Sequence, residues 1–210
     1  MILHPRFYEP NPVDRTAERK KLGLDPDLPT GIVLFGGYGT SKMLDILRQL
    51  NRSSLQVQLI LICGRNEKLA AALRREPTGI PIHVEGFTTQ IPYFMALSDF
   101  FIGKPGPGSI SEALSKHLPV IIDCNAWTLP QERYNAQWVR EKEVGIVVHS
   151  HRQVASAVAE LLKPGELAQF RARTAAMENR AIFEIPAIFE KILSGGEKKI
   201  SAESKTRDFK

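Results

Sequence analysis

The sequence is poor in cysteine. Its two, Cys63 and Cys124, stand far apart and form no Cys-x-x-Cys pair, so neither a disulfide framework nor a thiolate zinc site is expected. Each closes an apolar run and reads as a buried free thiol suited to a reducing compartment. Long apolar runs are missing as well: none approaches the roughly 18 residues that a membrane-spanning helix needs. The apolar start Met1–Leu3 is cut short by Pro5 and has no signal-peptide pattern. This predicts a cytoplasmic chain, free or peripherally attached to the inner face of a membrane. Aromatic residues make up only 8% and never interleave with a basic cluster, which argues against nucleic-acid binding. His149 and His151 lie two apart with no third ligand nearby, so they read as a surface pair and no metal is expected.

What is present is the composition of a folded domain. Hydrophobic residues make up 43% and charged ones 24%, outside the range of disordered chains. A length of 210 residues fits one domain with a substantial core. The net charge of +5 is spread along the chain and favours anionic ligands or surfaces only in a general way.

The pattern along the chain is an alternation. After an extended segment from His4 to Pro12, Asp14–Leu22 reads as a short helix that Asp14 caps and Gly23 stops. Apolar runs at Ile32–Phe35, Val57–Cys63, Ile82–Val84, Asp99–Ile102, Val120–Ile122 and Gly145–Val148 read as strands. Helical patterns follow at Ser41–Leu50, Asn66–Arg74, Gln90–Leu97, Ser109–Lys116, Gln131–Lys142 and Val154–Leu162. Six such units predict an α/β domain, a Rossmann-like doubly wound parallel sheet of about six strands with terminal helices. Residues 1–30 read as a linker with a short helix, 31–193 as the ligand-binding domain and 194–210 as a disordered tail. Near its end, Ile182, Ile185, Phe189 and Ile192 form an apolar stripe that Pro186 is expected to bend.

The unusual loops all fall at the carboxyl ends of the predicted strands, where such sheets bind ligands. Gly103 to Glu112 carries three glycines and two prolines between a strand and a helix, with Lys104, Gly106, Gly108 and Ser109 in the turn. Glycines admit a close ligand, and the helix start presents free N–H groups to a phosphate. Ser109-x-x-Glu112 also matches a capping box, the structural alternative; the functional reading gives Glu112 to a ribose diol. Gly36-Gly37-Tyr38-Gly39 is a second phosphate-type turn or a plain tight turn. It lacks the Gly-Lys-Ser/Thr of a P-loop, and Lys42 stands where a dinucleotide fingerprint has its last glycine. Arg65 and Lys104, at strand ends, are candidates to neutralise a departing diphosphate. Gln131, Glu132 and Asn135 share the start of one helix and suit sugar hydroxyls, or simply make a polar helix start.

These motifs occur in one order: Gly36–Gly39, Cys63–Asn66, Glu85–Thr88, Lys104–Glu112 and Pro130–Asn135. In that order and spacing the chain resembles the carboxyl-terminal half of monogalactosyldiacylglycerol synthases. Processive diacylglycerol glucosyltransferases and the peptidoglycan N-acetylglucosaminyltransferase are similar at greater distance. The resemblance implies a family 28-type GT-B glycosyltransferase and a UDP-hexose donor, with no further cofactor. It implies that the Gly86-Phe87 backbone holds uracil and Glu112 the ribose. Gly37, Gly39, Gly108 and Ser109 would hold the diphosphate, and Gln131, Glu132 and Asn135 the sugar. The family reaction inverts the anomeric centre and uses a lipid acceptor such as diacylglycerol.

In that family the acceptor groove, membrane contact and general base belong to the amino-terminal half. The resemblance therefore implies that this chain binds the donor but does not transfer the sugar alone. It would be part of a longer enzyme or the donor subunit of a split one. An epimerase-like enzyme and a non-catalytic UDP-sugar-binding module are the other readings.

Overall fold

A computed structural model describes residues 1–9 and 12–204. Six parallel strands form one sheet: β1 (Thr30–Leu34), β2 (Gln58–Ile62), β3 (Ile82–Glu85), β4 (Phe100–Gly103), β5 (Val120–Asp123) and β6 (Gly145–Val148). Their order is β3-β2-β1-β4-β5-β6, all neighbours parallel. The helices between and around them are α1 (Arg15–Lys21), α2 (Lys42–Arg52), α3 (Glu67–Arg75), α4 (Ile91–Ala96), α5 (Pro107–Ser115), α6 (Pro130–Glu141), α7 (Val154–Leu161), α8 (Glu166–Ala175) and α9 (Ala181–Ser204). This is the doubly wound architecture that the alternation predicts.

Why short apolar runs make this sheet is visible in their burial. All residues of β1, β2, β4 and β5 are buried, which is the environment of a parallel sheet covered on both faces. Successive side chains serve opposite cores. Ile32 and Leu34 join Phe94, Ile110 and Val139 on the α4–α6 face, whereas Val33 joins Met43, Leu69 and Val158 on the α2, α3, α7 face. On α2, Met43, Ile46, Leu47 and Leu50 are fully buried, the i, i+3, i+4, i+7 spacing of one helical face. The edge strand β3 is only half-buried.

At the amino ends of β1 and β4 sits a buried charge. Asp99 accepts hydrogen bonds from Arg15 Nη2 at 2.7 Å, Arg19 Nη2 at 2.7 Å, Arg171 Nη1 at 3.1 Å and the Thr30 N–H at 2.9 Å. Its own N–H returns a bond to the Thr30 carbonyl at 2.7 Å. Arg19 is buried too, and its other donors reach the Leu97 and Pro26 carbonyls. Two strands, α1 and α8 thus meet on one carboxylate. Burial pushes the Asp99 carboxyl up, but Arg15, the Thr30 N–H and Arg19 outweigh it and hold the group below its ordinary value.

Three expectations change. The segment expected to be extended contains a 3-10 turn, Pro5–Phe7, whose Phe7 is buried; Pro10 and Asn11 lie outside the described residues. Helix α9 continues to Ser204, so the expected disordered tail is helical over its first part, and 205–210 lie outside the described residues. The apolar stripe is split: Ile182 and Ile185 are half-buried, while Phe183, Ile188, Phe189, Ile192 and Leu193 are exposed.

Replacing Asp99 with Asn leaves the guanidinium groups without their counter-charge. The expected loss is about 3–5 kcal/mol in urea unfolding at pH 7. A lowered folded pKa stabilises above the ordinary carboxyl value of about 3.9 and ceases to do so as pH falls through the folded value. The acid limb of the stability curve should therefore be shallower in Asp99→Asn than in the parent chain.

Candidate ligand site at the strand ends

The strand order reverses between β1 and β4, so the loops that follow them leave in opposite directions and open a crevice. A cavity of about 410 Å³ lies there, lined by Gly36, Gly37, Gly64, Gly106, Gly108 and Ser109, with Glu112 at its wall. Gly64 makes the close approach of the loops possible. Its φ is +58°, and a Cβ on it would stand 2.2 Å from the Gly37 carbonyl oxygen. The Arg65 N–H bonds that same carbonyl at 2.9 Å, tying the β2 loop to the β1 loop.

The helix beyond β4 starts earlier than the sequence predicts. Gly106 is the N-cap and Pro107 the first helical residue, a position where proline's fixed φ and missing N–H cost nothing. No side chain caps this helix, so its first-turn N–H groups remain available to an anion. Ser109 therefore lies inside the helix, and its Oγ donates to the Gly106 carbonyl at 3.3 Å. The capping box is absent. The Glu112 carboxylate accepts no hydrogen bond from the described residues, although its backbone carbonyl takes the Ser115 hydroxyl at 2.7 Å, and burial raises the carboxyl above its ordinary value. A partly buried, unpartnered carboxylate facing a cavity can accept two hydroxyl donors.

A second cavity, about 300 Å³, adjoins the first through Lys104 and Glu132, which line both. Lys104 Nζ donates to Glu132 Oε1 at 2.7 Å, and Lys42 Nζ to Asp123 Oδ2 at 2.7 Å. Both acids are buried and both lysines are partly exposed. Thr40, Asn125, Trp127 and Thr128 complete the walls, and Trp127 is 94% exposed.

The predicted residues divide. Gly37, Lys104, Gly106, Gly108, Ser109, Glu112 and Glu132 come together around the cavities. Gly39 does not line them; with φ +55° it packs toward Leu69 and Cys63. The Arg65 guanidinium stacks 5.0 Å from the Phe87 ring centroid instead of facing the crevice. The Gly86 N–H is already bonded to Glu85 Oε1 at 2.9 Å. On α6, Asn135 Nδ2 donates to the Pro105 carbonyl at 2.8 Å and holds the β4 loop, while Gln131 is exposed and lines neither cavity. Cys63 is buried as expected, its thiol pushed up to about 11 by desolvation, but Cys124 is only half-buried. His151 lies 3.4 Å from Asp45.

The structure also brings Lys42, Asp123 and Trp127 to the second cavity, where sequence reasoning did not place them. An acid closing a buried strand and a tryptophan in a loop before a proline were the available signals.

The glycosyltransferase family 28 carboxyl-terminal domain matches residues 32–190. The probable monogalactosyldiacylglycerol synthase 3, chloroplastic, of Oryza sativa subsp. japonica is 37% identical over 153 residues, 70% of this chain and 30% of that protein. The chloroplastic synthase of Spinacia oleracea is 35% identical over 153 residues, 70% of this chain and 29% of its own. The chain thus spans less than a third of these relatives. Among solved structures, Acinetobacter baumannii MurG superposes with a TM-score of 0.67 at 14% identity, covering 86% of this chain and 54% of that one. Anabaena HepE in complex with UDP-glucose gives 0.61 at 19%, covering 81% and 49%. These structural likenesses establish the fold of one domain of a GT-B glycosyltransferase. With the crevice, the five motifs and the family match in agreement, the chain belongs to the glycosyltransferase family 28 carboxyl-terminal domain family.

Proposed function

We propose that this chain is the donor-binding half of an inverting glycosyltransferase and holds a UDP-hexose in the joined cavities. Glu112 carries the reading: an unpartnered carboxylate one turn inside an uncapped helix start, at the wall of the larger cavity. The free N–H groups at the start of α5 take the diphosphate, with Ser109 beside them. Glu112 takes the ribose hydroxyls. Lys104 lies between the two cavities and stabilises negative charge on departing UDP, together with the dipole of α5. No cofactor beyond the donor enters this scheme.

The acceptor, a lipid such as diacylglycerol, is brought by a further segment or subunit that also supplies the general base. The synthases to which this chain is similar are about three times longer than the matched stretch. The exposed Ile188, Phe189, Ile192 and Leu193 of α9 are where that partner packs. No helix among the described residues is long and apolar enough to cross a membrane. The reading places the chain in the cytoplasm, attached to a membrane face by its partner.

Calorimetric titration with UDP, ADP and NAD tests the donor site. UDP should bind selectively, and Glu112→Gln should weaken it about tenfold. The raised carboxyl is penalised only when ionised, above its folded pKa, so the variant's melting temperature at pH 7 should not fall. Loss of ribose contacts should also weaken UDP for the parent chain as pH drops through that raised pKa. A folded chain that ignores UDP would sink the proposal. For the partner surface, Phe189→Asp should leave UDP binding and melting temperature intact. It should also abolish sugar transfer reconstituted with an acceptor half; retained transfer would refute the role of α9.

A further inference from the structure

The second cavity carries an ion pair, Lys42–Asp123, that the donor reading does not use. Its walls carry two lysines and two acids, paired one to one, so its net charge is zero. Asp123 is the more deeply buried end of its pair, with 5% of its side chain exposed against 38% for Lys42. Asp123 Oδ1 and Glu132 Oε2 accept no hydrogen bond from the described residues, so each acid keeps one oxygen for a ligand hydroxyl. Thr40, Asn125 and Thr128 line the same cavity with side chains that can still donate; the Thr128 hydroxyl and the Asn125 Oδ1 already accept the Asn125 and Trp127 N–H groups. Trp127 adds a broad apolar surface exposed to 94%, matched to the C–H face of a sugar ring.

We infer that the Lys42–Asp123 pair determines donor specificity. It makes the second cavity a reader of uncharged hexoses that turns away uronates, with Trp127 as its stacking wall. The inference rests on reading the joined cavities as a UDP-sugar site. Lys42 and Asp123 are 81 residues apart in sequence and meet only because the β1 loop and the end of β5 face the same crevice. A hexose joined to a diphosphate at α5 reaches the second cavity past Lys104, which borders both spaces. Its neutral hydroxyls find free carboxylate oxygens. A uronate carboxylate would stand against Asp123 and Glu132, with Lys42 already bonded to Asp123 and Lys104 shared between Glu132 and the diphosphate. Drawing Lys42 away to meet it would strand a buried Asp123 without a counter-charge. Rejection by like charge is an efficient means of selectivity.

The same logic predicts how to reverse the preference. Asp123→Asn removes one repelling carboxylate and frees Lys42 inside the cavity. The test is titration calorimetry of the full chain with UDP, UDP-glucose, UDP-galactose and UDP-glucuronate. The parent should favour one of the two neutral hexoses over the uronate by roughly tenfold or more. In Asp123→Asn that ratio should vanish or invert, while the affinity for UDP alone stays the same. Trp127→Ala changes an exposed side chain and leaves folding out of account. It should bring UDP-hexose affinity down to that of UDP. An unchanged hexose-to-uronate ratio in Asp123→Asn overturns the inference, as does an unchanged hexose-to-UDP ratio in Trp127→Ala. Parent chain that binds UDP-glucuronate as well as UDP-glucose overturns it too, with the donor reading left standing. Parent chain that binds no UDP overturns both.

Discussion

The carboxylate of Asp99 is the constraint from which the arrangement of this domain follows. It accepts the Thr30 N–H while its own N–H bonds the Thr30 carbonyl, so the amino ends of β1 and β4 are clamped reciprocally. These are the two strands between which the strand order reverses. Three arginines neutralise the buried charge and bring α1 and α8 to the same point. Guanidinium forks suit this task because their several donors can satisfy carbonyls and a carboxylate at once. With one end of the β1–β4 pair fixed, the loops at the other end diverge from a defined origin.

The two ends of the sheet use charge differently. At the clamped end an acid is sealed by arginines, one of them itself buried. At the open end Asp123 and Glu132 are buried, but their partners are lysines with roughly half their side chains in solvent. An ammonium on a flexible stem holds its acid by a single point contact; a forked guanidinium bound to several groups cannot be redirected so easily. The pairs at the open end are thus suited to a site that must fill and empty, and the cluster at the closed end to a structure that must not move.

Much of this was legible in the sequence, for a physical reason. Strands buried on both faces must be continuous apolar runs, and those runs were visible at Ile32, Val57 and Val120. Asp14 and Asn66 cap their helices because side-chain acceptors for free N–H groups are local chemistry. The start of α5 was misjudged because two cues competed. Ser109 with Glu112 mimics a capping box, but proline at 107 is equally suited to begin a helix and does so. The site suffered where contacts are long-range. Arg65 was assigned to a phosphate because it ends a strand, yet the ring of Phe87, on the neighbouring strand's loop, claims it. Lys42 and Asp123 could be paired only by knowing which loops share the crevice.

Trp127 gives this chain a built-in optical reporter. The other tryptophan, Trp138, is half-buried against the core on α6, so the two indoles sit in unlike surroundings. Trp127 projects almost wholly into solvent beside the second cavity, a setting in which an indole emits to the red and meets soluble quenchers. A ligand that covered this wall would change the surroundings of one indole and leave those of the other, so intrinsic fluorescence is a natural probe of the proposed site.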